Sequence, residues 1–139
     1  MSKTIITLNQ QKEIEKKDKM YDAIIIGGGP AGLTAGIYLS RARMNTLLLE
    51  KLSPGGQAIL TEIIENYPGF PNGISGPELM QKMEKQAVEF GLQIKYGQVI
   101  EVKNDEKSKI KIVKTNDGEY KTLSVILASG AEARKLDIP

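Results

Sequence analysis

The chain has 139 residues, 40% hydrophobic and 26% charged, which suits one soluble domain with a core and excludes a disordered polymer. Its net charge is +2, and the first twenty residues hold five lysines against three acids, so the remainder is neutral and offers no basic face for nucleic acid. There is no cysteine and no histidine, which excludes disulfides, cysteine-based zinc sites and thiol chemistry within these residues and removes the usual general base.

Any chemistry must therefore come from a bound cofactor, and neither a catalytic side chain nor a metal ligand set is expected. No apolar run approaches the ~18 residues of a membrane helix. The N-terminus lacks the apolar core of a signal peptide. No membrane partner and a cytoplasmic location are the expectations.

Residues 1–20 are polar and without sustained period, and read as a flexible N-terminal extension. Residues 21–139 read as one domain. Ala23-Ile24-Ile25-Ile26 is a continuous apolar run, as in a strand buried on both faces of a parallel sheet. Residues 31–43 read as a helix with Leu33, Ile37, Tyr38 and Ala42 near one face. Residues 46–49 form a second buried strand closed by Glu50. Strand, glycine turn, helix and strand make a βαβ unit.

Residues 51–75 are rich in Gly and Pro, and a loop of that length in a compact domain is usually functional. Gly76-Pro77 opens a second helix, with Leu79, Met80, Met83, Ala87 and Phe90 as its buried stripe and Gly91 as its stop. The remainder reads as β: strands at 93–96, 99–103 and 109–115, a turn at Asn116-Asp117-Gly118, a return at 120–122, and a buried strand at 123–128. The expected fold is α/β, a Rossmann-type domain with a parallel central sheet and an inserted antiparallel β-meander near residues 99–122.

Gly27-Gly28-Gly29-Pro30-Ala31-Gly32 satisfies G-x-G-x-x-G in its required context, after a strand and before a helix. Gly27 permits the sharp turn, Gly29 leaves the backbone open to a pyrophosphate, and Gly32 lets the helix approach the sheet. Pro30 fits the first helical turn, where its missing N–H is not needed. First-turn N–H groups and the helix dipole suit phosphate. Glu50 lies 23 positions after Gly27, where an acid accepts hydrogen bonds from an adenosine ribose and repels a 2′-phosphate. These residues leave FAD and NAD both open. Pro54-Gly55-Gly56-Gln57 offers a second run of backbone donors, although in isolation it reads as an ordinary turn. Glu65-Asn66-Tyr67-Pro68-Gly69-Phe70 suits a flat polar ring system, although composition alone favours a loop pinned by aromatics.

Together these residues resemble the low-molecular-weight thioredoxin reductases. The resemblance covers residues 21–139. It is carried by the glycine fingerprint, Gly55-Gly56-Gln57, the 65–70 cluster, Gly73-Ile74-Ser75-Gly76-Pro77-Glu78-Leu79 and Ala128-Ser129-Gly130-Ala131. It implies FAD as the cofactor. By resemblance, Gly27, Gly28, Gly29, Pro30, Ala31 and Gly32 hold the pyrophosphate, and Glu50, with Lys51 beside it, meets the adenosine end. Gly56 belongs to the same site, and Gln57 and Asn66 match residues that reach the flavin and its ribityl chain, with Thr61 on the same loop. Val99 matches a position whose backbone meets adenine. Ala128, Ser129 and Gly130 match an Ala-Thr-Gly turn beside the cofactor; the Ser keeps the hydroxyl and loses a methyl.

Two departures from the family pattern stand out. Relatives usually place a Gly where this chain has Arg43-Met44-Asn45, and Asn45 is the expected left-handed cap. The family's chain also continues into an NADPH domain with a Cys-x-x-Cys pair and then returns to complete the flavin site. The expectation is thus an FAD-binding portion lacking those parts, inactive alone, with NADPH and thioredoxin reached only through the missing half. A homodimer stays open. The alternatives are a relative with another donor or acceptor, such as ferredoxin; a non-catalytic flavin- or nucleotide-binding module working with a partner chain; and a domain that takes NAD.

Overall fold

The structure is a computed structural model that describes residues 19–131. The expected flexible extension lies outside those residues except for Lys19 and Met20, and Met20 already belongs to the first strand.

Six strands form one sheet: β1 (Met20–Ile26), β2 (Thr46–Glu50), β3 (Gln93–Tyr96), β4 (Val99–Asn104), β5 (Lys111–Thr115) and β6 (Gly118–Leu127). Their order is β3-β2-β1-β6-β5-β4. β1 is parallel to β2 and β6, and β2 is parallel to β3. The β4-β5-β6 pairings are antiparallel. Ile24, Ile25, Leu47, Leu48 and Leu49 are essentially sealed from solvent, as a parallel sheet covered on both faces requires.

The expected return at 120–122 and strand at 123–128 are a single ten-residue strand, β6. Its first half, from Gly118 to Thr122, pairs β5, and from Lys121 to Leu127 it runs beside β1. The meander therefore continues the central sheet through β6. β3 and β4 occupy opposite edges of the sheet, yet Gly97 and Gln98 alone join them. A flat six-stranded sheet would hold its edges roughly 24 Å apart at ~4.8 Å per strand. Three Cα steps from Tyr96 to Val99 reach at most about 11 Å. The sheet must curl until its edges approach. Lys95 of β3 accordingly stands 5.0 Å from the ring centroid of Tyr120 on β6. The concave interior holds Tyr21, Ile24, Leu47, Leu49 and Val113.

The other face carries two helices, α1 (Pro30–Arg41) and α2 (Gly76–Glu89). Pro30 opens α1, and Ser75 caps α2 by accepting the N–H of Glu78. The buried stripe of α1 is Gly32, Leu33, Gly36, Ile37 and Ser40. Tyr38, expected inside, is 65% exposed, and Ala42 is exposed too. Small Gly36 is what faces the neighbour: a Cβ there would stand 2.5 Å from Leu92 Cδ2. The α2 stripe is as expected except for Phe90, which caps the helix in solvent under the Arg41 guanidinium at 5.6 Å. Both helices end in Schellman turns: Leu92 N–H to Ala87 O with Gly91 left-handed, and Met44 N–H to Leu39 O with Arg43 left-handed at φ 60.

The expected cap, Asn45, instead joins three strands. Its carbonyl accepts the Asp22 N–H, its own N–H donates to the Asp22 carboxylate, its side-chain amide donates to Met20 O, and its Oδ1 accepts from Gln93. The expected burial of 123–128 also fails in part, since Leu123 and Leu127 are largely exposed. α1 packs on β1 and β2, and within residues 123–127 β6 meets the two cores through Val125 and Ile126.

Candidate functional site

Parallel strands gather their following loops at one sheet end, and α/β folds place ligands there. Here the loops after β1, β2 and β6 meet. Ala128 N–H donates to Ile26 O, and Gly27 N–H to Leu49 O, so the three exits stay in register.

Each fingerprint glycine has a separate reason for lacking a side chain. Gly27 has φ 105, and a Cβ would stand 2.3 Å from Ala128 O. At Gly32 a Cβ would lie 1.9 Å from Gly27 O, so α1 approaches this close only with glycine there. Gly29 differs: a Cβ there meets nothing within 4 Å, and its backbone is extended. Its openness leaves room for a ligand beside the helix start. Ala31 and Gly32 carry first-turn N–H groups with no carbonyl to bond within the helix, and the N-cap Gly29 has no side chain to satisfy them.

The second glycine turn docks on the first. Gly55 N–H donates to Gly28 O at 2.8 Å, and a Cβ at Gly56 would come 3.4 Å from Gly29 Cα. Glu50 joins them: Oε2 accepts the N–H of Gly28 at 2.6 Å and Oε1 that of Leu52 at 3.1 Å. A carboxylate offers about four acceptor positions, so capacity remains for ligand hydroxyls. Gln57 sits on a short 3-10 turn (Gly56–Leu60) and donates its amide to Ala131 O, tying that turn to the exit of β6. Ser129 and Gly130 are exposed between them. Lys51 is exposed beside Glu50.

Thr61 and Asn66 line one cavity of about 500 Å³ with Ala58, Ile63, Ile64 and Glu65. The loop holding them is anchored by reciprocal backbone bonds between Ile64 and Ile74, and by Gly76 N–H on Thr61 O. Tyr67 and Phe70 pin it inward, their rings 6.1 Å apart against the helix-side core. Val99 stands apart, at the start of β4 and against the concave core. The chain reaching it is nevertheless fixed to β2, since Gly97 N–H donates to Glu50 O.

The arrangement fits a dinucleotide. Backbone donors and two side-chain-free turns suit a pyrophosphate, an acid suits ribose hydroxyls, and a neighbouring cavity with an amide and a hydroxyl suits a polar ring. Leu52 and Gly97 escaped the sequence reading because each contributes only a backbone group. The one legible hint was the turn chemistry of the Gly-rich loop itself.

The family model of pyridine nucleotide-disulphide oxidoreductases matches residues 21–139. The chain is 49% identical over 123 residues to the thioredoxin reductase of Bacillus subtilis, covering 88% of this chain and 38% of that protein. The solved thioredoxin reductase of Lactococcus lactis superposes with a TM-score of 0.81 at 47% identity, covering 86% of this chain and 38% of that one. A ferredoxin-flavin thioredoxin reductase of Clostridium acetobutylicum superposes with a TM-score of 0.74 at 32% identity, covering 84% and 40%. The chain thus spans about 38% of the length of the first two.

Proposed function

We propose that this chain, which belongs to the pyridine nucleotide-disulphide oxidoreductase family, is the FAD-binding portion of a thioredoxin-reductase-like flavoprotein oxidoreductase. The observation that carries this reading is the Gly55-to-Gly28 hydrogen bond, which sets two glycine turns on one strand end beside Glu50. The N–H groups of Ala31 and Gly32 hold the pyrophosphate, while Gly27, Gly28, Gly29 and Pro30 shape the turn and Gly56 closes it. Glu50 takes the adenosine ribose and disfavours a 2′-phosphate, with Lys51 alongside. The backbone at Val99 covers the adenine. Gln57, Thr61 and Asn66 orient the flavin end, and Ala128, Ser129 and Gly130 close the site from the β6 side.

When bound, FAD would supply the electron-carrying ring. The chain contains no cysteine, so disulfide exchange must draw its thiols from outside these residues. NADPH as donor and a thioredoxin-like acceptor complete the reading, and a reducing compartment such as the cytoplasm suits that chemistry. The likeness to a ferredoxin-flavin enzyme supports ferredoxin as the alternative donor.

The test is cofactor uptake. Purified protein should show a flavin absorption spectrum, or bind added FAD saturably in a fluorescence titration. Uptake of NAD with no uptake of FAD would overturn the assignment.

A further inference from the structure

We infer that Tyr96 is the platform on which the adenine of the bound dinucleotide stacks; this assignment rests on the FAD reading of the site and adds a side chain to it. In the sheet, β2 lies between β1 and β3. The fingerprint turn follows β1, Glu50 closes β2 and Tyr96 closes β3, so three neighbouring strand ends form a row. The adenosine half of a dinucleotide runs phosphate, ribose, base. With the pyrophosphate at the fingerprint turn and the ribose at Glu50, the base falls at the third strand end.

Register brings the two side chains together. Glu50 and Tyr96 are partners in the parallel pair of β2 and β3, so they project to one face, on strands ~4.8 Å apart. Gly97 N–H donates to Glu50 O at 2.9 Å and holds the two strand ends level. Nothing inside the chain requires Gly97 to be bare. Its φ is not left-handed, and a Cβ there would come no nearer than 3.7 Å to any atom beyond its chain neighbours. The missing side chain leaves the strand end open beside the ring.

The fold makes no use of that ring. Of the five tyrosines, Tyr21 and Tyr120 pack edge-on, and Tyr67 meets Phe70 and Met83. Tyr38 and Tyr96 are exposed, at 65% and 59%, and neither has a ring or hydroxyl partner among the described residues. Tyr38 lies well along α1, on its solvent flank. Tyr96 stands at the end of the sheet where the loops of the site gather. An aromatic face gains from covering a flat base, whichever base it is, because every base offers a π-face. Glu50 then reads the sugar and Tyr96 covers the base, on adjacent strands.

Calorimetric titration of the cofactor-stripped chain with FAD and, separately, with ADP tests this, and urea unfolding confirms that each variant folds. Tyr96→Ala should weaken FAD and ADP by one common factor of about tenfold or more. Its unfolding midpoint should stay near wild type, since the ring is exposed. Tyr96→Phe should bind both ligands within about twofold of wild type, because the ring and not the hydroxyl stacks. Tyr96→Leu keeps an apolar side chain on the strand and should still lose affinity as Tyr96→Ala does. Unchanged FAD and ADP affinity in Tyr96→Ala overturns the assignment. So does a loss of FAD affinity with ADP unchanged, or Tyr96→Phe failing as Tyr96→Ala does. A wild type that takes ADP and no FAD overturns the FAD reading instead, and its ADP series still decides Tyr96. A wild type that binds neither overturns both.

Discussion

Glu50 Oε2 accepts the N–H of Gly28 at 2.6 Å, while its other oxygen accepts that of Leu52. One carboxylate thus fixes the turn that forms the site's floor and the loop that forms its wall. An amide has a single acceptor oxygen, so Glu50→Gln must set an NH2 against one of those N–H groups. Hydrogen bonds to charged groups contribute about 2 kcal/mol. Glu50→Gln should therefore lower the thermal midpoint of the cofactor-free chain as well as weaken FAD binding at least tenfold. Differential scanning fluorimetry and FAD titration read the two effects separately.

Gly29 and Gly32 are both fingerprint glycines, but their substitutions should fail differently. Gly29→Val projects into open space from an extended backbone. Its urea midpoint should stay near wild type while FAD binding is lost. Gly32→Ala drives a methyl onto Gly27 O, and the displaced helix should cost roughly 3 kcal/mol or more. Urea unfolding of the two variants checks the contrast.

Arg43 holds a left-handed conformation at φ 60, in the same Schellman geometry that Gly91 serves at the end of α2. A non-glycine residue there carries a penalty of ~1 kcal/mol or more. Glycine's larger unfolded-state entropy returns part of it. Arg43→Gly should stabilise the chain by about 0.5–1 kcal/mol in urea unfolding, with unchanged FAD affinity.

Tyr21 and Tyr120 meet edge-on, 6.3 Å apart. Burial, and secondarily Tyr120, raises the Tyr21 phenol above its ordinary 10.0. Burial, and then the Asp117 charge, does the same to Tyr120. The folded state thus favours the neutral phenols. That stability is fully present below pH 10 and is lost as pH rises through the raised folded values, because the unfolded chain releases its protons first. Denaturation midpoints should fall above pH 10, and less steeply in the Tyr21→Phe/Tyr120→Phe variant.

The fold was legible wherever one local rule acted alone. The apolar runs at 23–26 and 46–49, the proline that opens each helix and the stop at Gly91 all report local physics. Positions decided by distant partners were not legible. Tyr38 and Phe90 fit the helical period but lie on the flank that receives Arg41 or solvent. Asn45 had the right residue type for a cap, yet its side chain finds Met20 and Gln93 across two strands. Leu123 and Leu127 carry a buried pattern on a strand that the helices leave partly bare. At the site, the glycines and Glu50 were readable from spacing. The bond from Gln57 to Ala131 joins residues 74 positions apart, and no local pattern encodes it.

The central strand also sets a timetable. β1 gains β2 from nearby sequence, but its other neighbour is β6, and Ser124 Oγ donates to Asp22 O across 102 positions. On a ribosome adding about 5–20 residues per second, that neighbour emerges roughly 5 to 20 s after β1. Throughout that interval Ile24, Ile25 and Ile26 present an unpaired hydrophobic ladder. Nascent chains of this protein should therefore be clients of holding chaperones during synthesis, and slow translation should lower the yield of folded protein.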